Sequence, residues 1–416
     1  MPTARDRVRF GANYTPSQGW FHSWLDLRVD DARRDFEDLA SIGLDHVRVF
    51  PLWPVIQPNR GLIRQRSIDD LTALIDAAAE FGLDVAVDLL QGHLSSHDFL
   101  PSWITTWHRA SLFTDPAARE GIADYAAAVS RAVAARPNVF AITLGNEVNN
   151  LWPSNPTTLE QSHQWASDLV DVVRANAPDV LALHSLYDDA WYSPDHPFSP
   201  VSATDLGDLT TVHSWVFNGV SAIDGPLGPA TTSHAAYLVE LADAMAPDPS
   251  RRVWLQEVGA PLPDVPVAAA ADFVERTVAS VIDHPGLFGI TWWCSHDVDR
   301  TLLDFPEREY DLGLFTTEHQ AKPLALALAD CIAAQREGVE PQPGRVAIVA
   351  AHDLRTDLHR RAKVAPGSAF HERWVTASSE RSAAIVLPAL ADDTQHLAAR
   401  SITRVADELS PGRALP

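Results

Sequence analysis

Phe140-Ala141-Ile142-Thr143-Leu144-Gly145-Asn146-Glu147 is an apolar run of strand length that ends in a glutamate. A second run, Val253-Trp254-Leu255-Gln256-Glu257, ends the same way. A carboxylate at the C-terminal end of a buried strand is held rigidly and aimed out of the sheet. Whether these two ends share one rim depends on the chain between and around them.

Apolar strand patterns alternate with amphipathic helix patterns on both sides of these runs. Strands are predicted at Val8–Asn13, His46–Phe50, Asp84–Leu90, Val139–Leu144, Val180–His184, Leu209–His213, Val253–Gln256 and Leu287–Trp293. Helices are predicted near 28–42, 68–81, 116–135, 157–176, 232–245, 267–283 and 322–336. The first presents Phe36, Leu39, Ala40 and Ile42 on one face; the second presents Leu71, Leu74, Ile75 and Ala78. The fifth unit is the weakest, because 186–208 is rich in Pro, Asp and Ser and reads as a loop. Eight alternations predict an α/β fold, a closed parallel (β/α)8 TIM barrel. Loops after the strands are long and aromatic (14–24, 91–108, 148–156, 214–231, 294–315), and the active sites of such barrels lie at that face.

The barrel is expected to span residues 1–337. Residues 338–416 are expected to form a small C-terminal extension packed on it. Gly338–Gly344 reads as a linker, 346–350 and 383–387 as strands, and 395–408 as a helix.

Composition narrows the function. A formal net charge of −23 argues against nucleic acid and anionic membrane surfaces as partners. Two cysteines, Cys294 and Cys331, exclude a disulfide framework. No apolar signal region or bilayer-length segment is evident, so a soluble cytoplasmic protein is expected.

Two carboxylates at the ends of two barrel strands suit acid/base and nucleophilic work at one bond, as in a retaining glycosidase. Either glutamate alone reads as a solvated loop residue; together on this pattern they read as a pair. Glu147 is the candidate acid/base and Glu257 the candidate nucleophile. Asn146 is placed to hold a sugar 2-hydroxyl, although Asn is also a common turn residue. Arg48 is costly inside a strand unless paired, and pairing with Glu257 would keep that carboxylate ionised. His93 follows the third strand and His213 ends the sixth, and both can reach a sugar hydroxyl or the nucleophile. His93 and His97 have no third ligand at helical spacing, so no metal or organic cofactor is expected. Trp293 offers a floor for the apolar face of a pyranose, although barrel core is the plainer reading, and alternation requires one of Trp292 and Trp293 to point away. Trp20, Trp53, Trp103, Trp152 and Trp215 are candidates for further sugar subsites, some of them ordinary packing.

These residues resemble the pattern of glycoside hydrolase family 5 and its clan of retaining β/α-barrel enzymes. The resemblance spans about residues 8–336. It rests on Arg48, Asn146-Glu147, His213, Glu257 and Trp293, in that order. It implies that Arg48 supports the nucleophile, Asn146 contacts the 2-hydroxyl, Glu147 is acid/base, His213 contacts sugar, Glu257 is nucleophile and Trp293 is platform. The family often has a tyrosine two residues after the strand-6 histidine. Here His213-Ser214-Trp215 puts tryptophan there, so another group is expected to hydrogen-bond the nucleophile. The stretch Gly11-Ala12-Asn13-Tyr14 is also similar to β-galactosidases of the clan. The aromatic first loop and the lack of a secretion signal look like the β-mannosidases of subfamily 18.

The reading is therefore a retaining exo-β-mannosidase acting on short β-1,4-linked mannosides such as mannosyl-N-acetylglucosamine. An endo-acting β-mannanase or β-glucanase is the nearest rival, and would show exposed tryptophans in a line on both sides of the carboxylates. A non-catalytic sugar-binding barrel is the rival of another class, and a transglycosylase would use the same two carboxylates.

Overall fold

The computed structural model describes residues 7–106, 110–337, 344–380 and 383–406. Strands β1 (Arg9–Asn13), β2 (His46–Val49), β3 (Asp84–Leu90), β4 (Val139–Gly145), β5 (Leu181–Leu183), β6 (Thr210–Ser214), β7 (Val253–Val258) and β8 (Leu287–Trp292) form one parallel sheet in the order β5-β4-β3-β2-β1-β8-β7-β6. The two ends of this order approach each other at β5 and β6, where the Asp208 N–H donates to the Ala182 carbonyl (2.9 Å). The result is a nearly closed (β/α)8 barrel.

The connecting helices are α1 (Val29–Ser41), α2 (Gln65–Glu80), α3 (Pro116–Val133), α4 (Leu159–Asn176), α5 (Pro200–Asp205), α6 (His234–Met245), α7 (Ala270–Val281) and α8 (Pro323–Glu337). Local chemistry sets their starts. Asp115 accepts the Ala118 N–H ahead of α3, with Pro116 preorganised at the first helical position. Thr158 and Gln161 form a reciprocal capping box on α4. On α1, Phe36 and Leu39 are fully buried against the barrel. Truncating such a leucine to alanine costs roughly 2–5 kcal/mol. The 186–208 segment, expected as loop, contains two short helices, Asp189–Tyr192 and α5. Pro200 begins α5, and the Ser199 hydroxyl caps it.

The floor of the barrel is aromatic. Trp254, Phe140 and Phe288 pack together there, with the His46 ring against Trp254 and Phe140. Gly11 pairs with His46 across β1 and β2, and a Cβ at Gly11 would lie 2.3 Å from the His46 ring. Only glycine leaves that ring its place inside the barrel.

After α8 the chain forms β9 (Arg345–Val349), α9 (Ala369–Glu380), β10 (Ala383–Val386), α10 (Thr394–Ala399) and β11 (Ile402–Ala406), with a parallel sheet ordered β10-β9-β11. The predicted helix over 395–408 is a correction. Ser401 adopts φ 57° and ends the helix, after which Ile402 and Ala406 are buried while Thr403 and Arg404 are exposed. Residues 407 and 408 of that prediction, and 338–343 of the predicted linker, lie outside the described residues. This segment packs on α6: Tyr237 stacks edge-on against Trp374 (5.0 Å) and donates to the Val364 carbonyl (2.5 Å). Buried Arg361 donates to the carbonyls of Ala190, His196 and Phe198, so the extension also fixes the loop after β5. Among the described residues, no helix is long and apolar enough to cross a membrane.

Candidate active site

Arg48 is the hub of the barrel mouth. It is fully buried on β2, and all five of its N–H donors are used. Nε and Nη2 hold Asp88, Nη1 reaches Asn13 Oδ1 (3.1 Å) and Glu257 Oε1 (2.7 Å), and Nη2 also reaches Asn146 Oδ1 (2.6 Å). An unpaired guanidinium here would be prohibitive; paired, it orients residues of four strands or strand ends. Asp88, on β3, was not singled out from the sequence. Burial pushes its carboxyl up to about 6 against the pull of Arg48.

Glu147 follows β4 in a left-handed backbone conformation (φ 44°, ψ 43°). That conformation is costly for a glutamate, by roughly 1–3 kcal/mol, and it recurs where a side chain must be aimed. Glu257 lies near the end of β7, beyond an irregularity in the β7–β8 register. Oxygens of the two carboxylates lie within 4.8 Å of each other and of a His213 nitrogen. His213 Nδ1 sits 2.7 Å from Glu147 Oε1 and 3.2 Å from Glu257 Oε2. Its Nε2 faces Ser185 Oγ (2.9 Å) and Gln256 Oε1 (3.2 Å). Burial opposes charge on this ring, but the two glutamates outweigh it and raise it to about 9.

The glutamates diverge. Burial and the charge of Glu257 raise Glu147 above the usual carboxylate range, against the pull of His213. Burial also works against ionised Glu257, but His213 and Arg48 overcome it and hold this carboxyl below its usual value. Trp215 Nε1 donates to Glu257 Oε2 (3.3 Å), and Asn150 Nδ2 donates to Glu147 Oε2 (3.1 Å). The tryptophan at the position where the family often has tyrosine therefore supplies the hydrogen bond itself, which corrects the expectation that another group would replace it.

A cavity of about 430 Å³ opens over both carboxylates. His93, Asn146, Trp215 and Trp293 line it. His93 binds Asp98 through Nδ1 (2.9 Å), and its carbonyl accepts from Asn146 Nδ2 (2.7 Å); among the described residues it makes no hydrogen bond to Glu257. His97 packs instead against Phe305 (4.9 Å). Trp293 faces the cavity, whereas Trp292 packs outward against Phe273 (6.5 Å), as alternation requires. Trp20 and Trp53 are buried packing, and Trp103 donates to the Gln57 carbonyl (3.1 Å). Asn150, Tyr187, Phe217, Arg308 and Glu309 also line the cavity and come from loops that sequence reading did not resolve. Glu309 is raised to about 7 by burial.

No protein-family model matches the chain, and no curated protein matches it. Solved structures do. The family 5, subfamily 18 glycoside hydrolase from Streptomyces cattleya, in complex with GlcNAc, is 50% identical, with 97% of this chain and 99% of that chain covered and a TM-score of 0.93. A variant from the same organism holds Manβ1-4GlcNAc (50% identity, 96% and 98% covered, TM-score 0.91). The subfamily 18 protein from Bifidobacterium longum subsp. infantis is 41% identical, with 97% of each chain covered and a TM-score of 0.90. An exo-β-1,4-mannosidase from Opitutaceae bacterium strain TAV5 is 25% identical, with 91% of this chain and 69% of that chain covered and a TM-score of 0.71. On this full-length likeness the chain belongs to glycoside hydrolase family 5, subfamily 18.

Proposed function

We propose that the chain is a retaining exo-β-mannosidase that cleaves short β-1,4-linked mannosides such as Manβ1-4GlcNAc. The observation that carries this reading is the opposed tuning of two neighbouring carboxylates, Glu147 raised and Glu257 lowered. One oxygen of each lies within 4.8 Å of one oxygen of the other, in keeping with the close carboxyl pair, about 5–5.5 Å apart, of a retaining enzyme.

Glu257 attacks the anomeric carbon while Glu147 gives its proton to the glycosidic oxygen, and the N-acetylglucosamine leaves. Glu147, now a carboxylate, takes a proton from water. That water attacks the same carbon and Glu257 departs, so mannose is released with its β configuration kept. Arg48, Trp215 and His213 hold Glu257 ionised and oriented throughout. Asn146 has its Oδ1 tied to Arg48 and one Nδ2 hydrogen to the His93 carbonyl, which leaves a second N–H for the 2-hydroxyl. Trp293 is the platform.

Exo action is supported by the form of the cavity, in which, among the described residues, Trp215 and Trp293 are the tryptophans of the lining. Trp215 and Trp293 line the cavity beside the carboxylates, each no more than 5% exposed, and Pro306, Arg308 and Glu309 wall it. The subfamily relative that holds Manβ1-4GlcNAc and the exo-mannosidase relative support the substrate. The test is to incubate the protein with Manβ1-4GlcNAc, mannobiose and longer mannan and glucan oligomers. Mannose released one unit at a time supports the reading. Mid-chain products would make it an endo-enzyme, and no cleavage would leave a sugar-binding protein.

A further inference from the structure

Away from the carboxylate pair, four side chains converge between α1 and the loop that follows β8. Asp35 and Asp38 sit one turn apart on α1, His296 lies just beyond β8, and His319 lies before α8. His319 Nδ1 is 2.7 Å from Asp38 Oδ2 and 3.9 Å from Asp35 Oδ1; His296 Nε2 is 3.2 Å from Asp38 Oδ2 and 3.6 Å from Asp35 Oδ1. We propose that these four residues bind one divalent metal ion, with zinc the best fit, and so clip the β8–α8 loop to the barrel.

Three observations support it. The four aspartate–histidine distances fall on either side of about 3.3–3.4 Å, the ligand–ligand separation that follows from metal bonds of about 2.0–2.1 Å to nitrogen and oxygen. Asp35 is 1% exposed, and its Oδ1 is buried without a hydrogen-bond partner. Its other oxygen is already oriented by the Tyr14 hydroxyl (2.8 Å) and the Ser17 N–H (3.2 Å), the outer-shell support that aims a ligating carboxylate. Among the described residues, the ion-pair partners of Asp35 and Asp38 are these two histidines alone; nearby Lys322 is taken by Asp297 and the Asp311 carbonyl. Two carboxylates and two neutral imidazoles neutralise a divalent cation, and a mixed set of nitrogen and oxygen ligands favours zinc over magnesium or calcium.

The site has a structural consequence. His296 is fixed from behind by Thr15, which accepts its N–H (3.1 Å) and donates to its carbonyl (2.8 Å). His319 adopts φ 64°, a backbone cost kept where a side chain is anchored. Between them runs the segment that carries Pro306, Arg308 and Glu309 to the active-site cavity. Beside His319 a cavity of about 310 Å³ gives access, lined also by Ser17, Gln18, Asp31, Arg28 and Arg34; both arginines pair with Asp31.

The full chain, stripped with chelator and desalted, should take up zinc chloride and keep one zinc per chain through a second desalting, measured by mass spectrometry of the metal. Cobalt should give the intense visible bands of a tetrahedral centre. Zinc should raise Tm by several degrees. The double variant Asp35→Asn/His319→Gln should retain no zinc and show no Tm response. If the variant fails to fold, the wild type decides alone: well under one zinc retained and no Tm response overturns the proposal. A double variant that folds and keeps the wild-type amount of zinc would overturn it too.

Discussion

Two cavities of nearly equal volume border two buried ionic clusters in this molecule. One, about 430 Å³, opens at the barrel mouth over Glu147 and Glu257; the other, about 440 Å³, lies on the flank beside Glu240 and His284, between α6, α7 and α9. On the flank, Arg345 pairs with Glu240, and Arg400 holds Asp243 (2.7 Å) and the Ile385 carbonyl (2.9 Å). Each acid has its own guanidinium, and although burial works against the Asp243 carboxylate, Arg400 and His284 hold its carboxyl below the usual range. At the mouth, Asp88, Glu147 and Glu257 share Arg48 and His213, and Arg48 does not reach Glu147. The acids outnumber their cations, and the Glu147 carboxyl is raised above its usual value. What sets the mouth apart from the flank is a raised carboxyl beside a lowered one. The flank cluster is a clamp that joins the C-terminal sheet to the barrel.

Variants separate the two regions. Glu257→Ala should lower turnover by about 10⁶-fold, as loss of a nucleophile does elsewhere, and azide should restore part of it as a glycosyl azide; full residual activity would remove Glu257 from the mechanism. Glu147→Gln should lower kcat/KM on Manβ1-4GlcNAc by about 10³-fold. In the wild type, activity needs Glu257 ionised and Glu147 protonated, so kcat/KM should fall at low pH through the depressed Glu257 and at high pH through the raised Glu147. With an aryl mannoside whose leaving group needs no proton, the Gln variant should lose the basic limb. Its stability should move the other way. A carboxyl raised on folding is stabilising only below its unfolded pKa and costs stability above its folded one, so the Gln variant should melt higher than wild type at neutral pH.

Arg400→Met inverts that outcome. Breaking a buried pair costs roughly 3–5 kcal/mol, so Tm should fall while kcat/KM below the melting range stays near wild type. Because the Asp243 pKa is depressed by folding, its contribution is present above the unfolded value of 3.8 and lost as pH falls through the folded one. The Tm gap between Arg400→Met and wild type should therefore narrow in acid. The smallest effect belongs to Trp215→Phe, which removes one hydrogen bond to a charged acceptor and should cost kcat/KM about tenfold, with the acid limb moved to higher pH.

The barrel was legible because its strands are short apolar runs with helical periodicity between them. Asp84–Leu90 has the predicted bounds, and Val139–Gly145 extends one residue past them. The C-terminal sheet was less so. Ile402–Ala406 buries only its ends, too weak an alternation to separate from the Ala-rich helix before it. At the site, Glu147, Glu257, Arg48, His213, Asn146 and Trp293 lie on strands or at their ends, where position follows from pattern. Asp88 carried a readable signal, an acid inside the apolar run Asp84–Leu90, in the strand next to that of Arg48. Asn150, Tyr187, Arg308 and Glu309 carried none, because loop geometry alone brings them to the cavity. His296 and His319 were equally silent, being distant in sequence from the α1 acids they meet.

The central claim is double displacement at one mannosyl carbon by Glu257 and Glu147. Proton NMR of Manβ1-4GlcNAc during the first minutes of hydrolysis reads it directly. The account predicts β-mannose as the first-formed sugar, with α-mannose growing in later by mutarotation; α-mannose appearing first would contradict it.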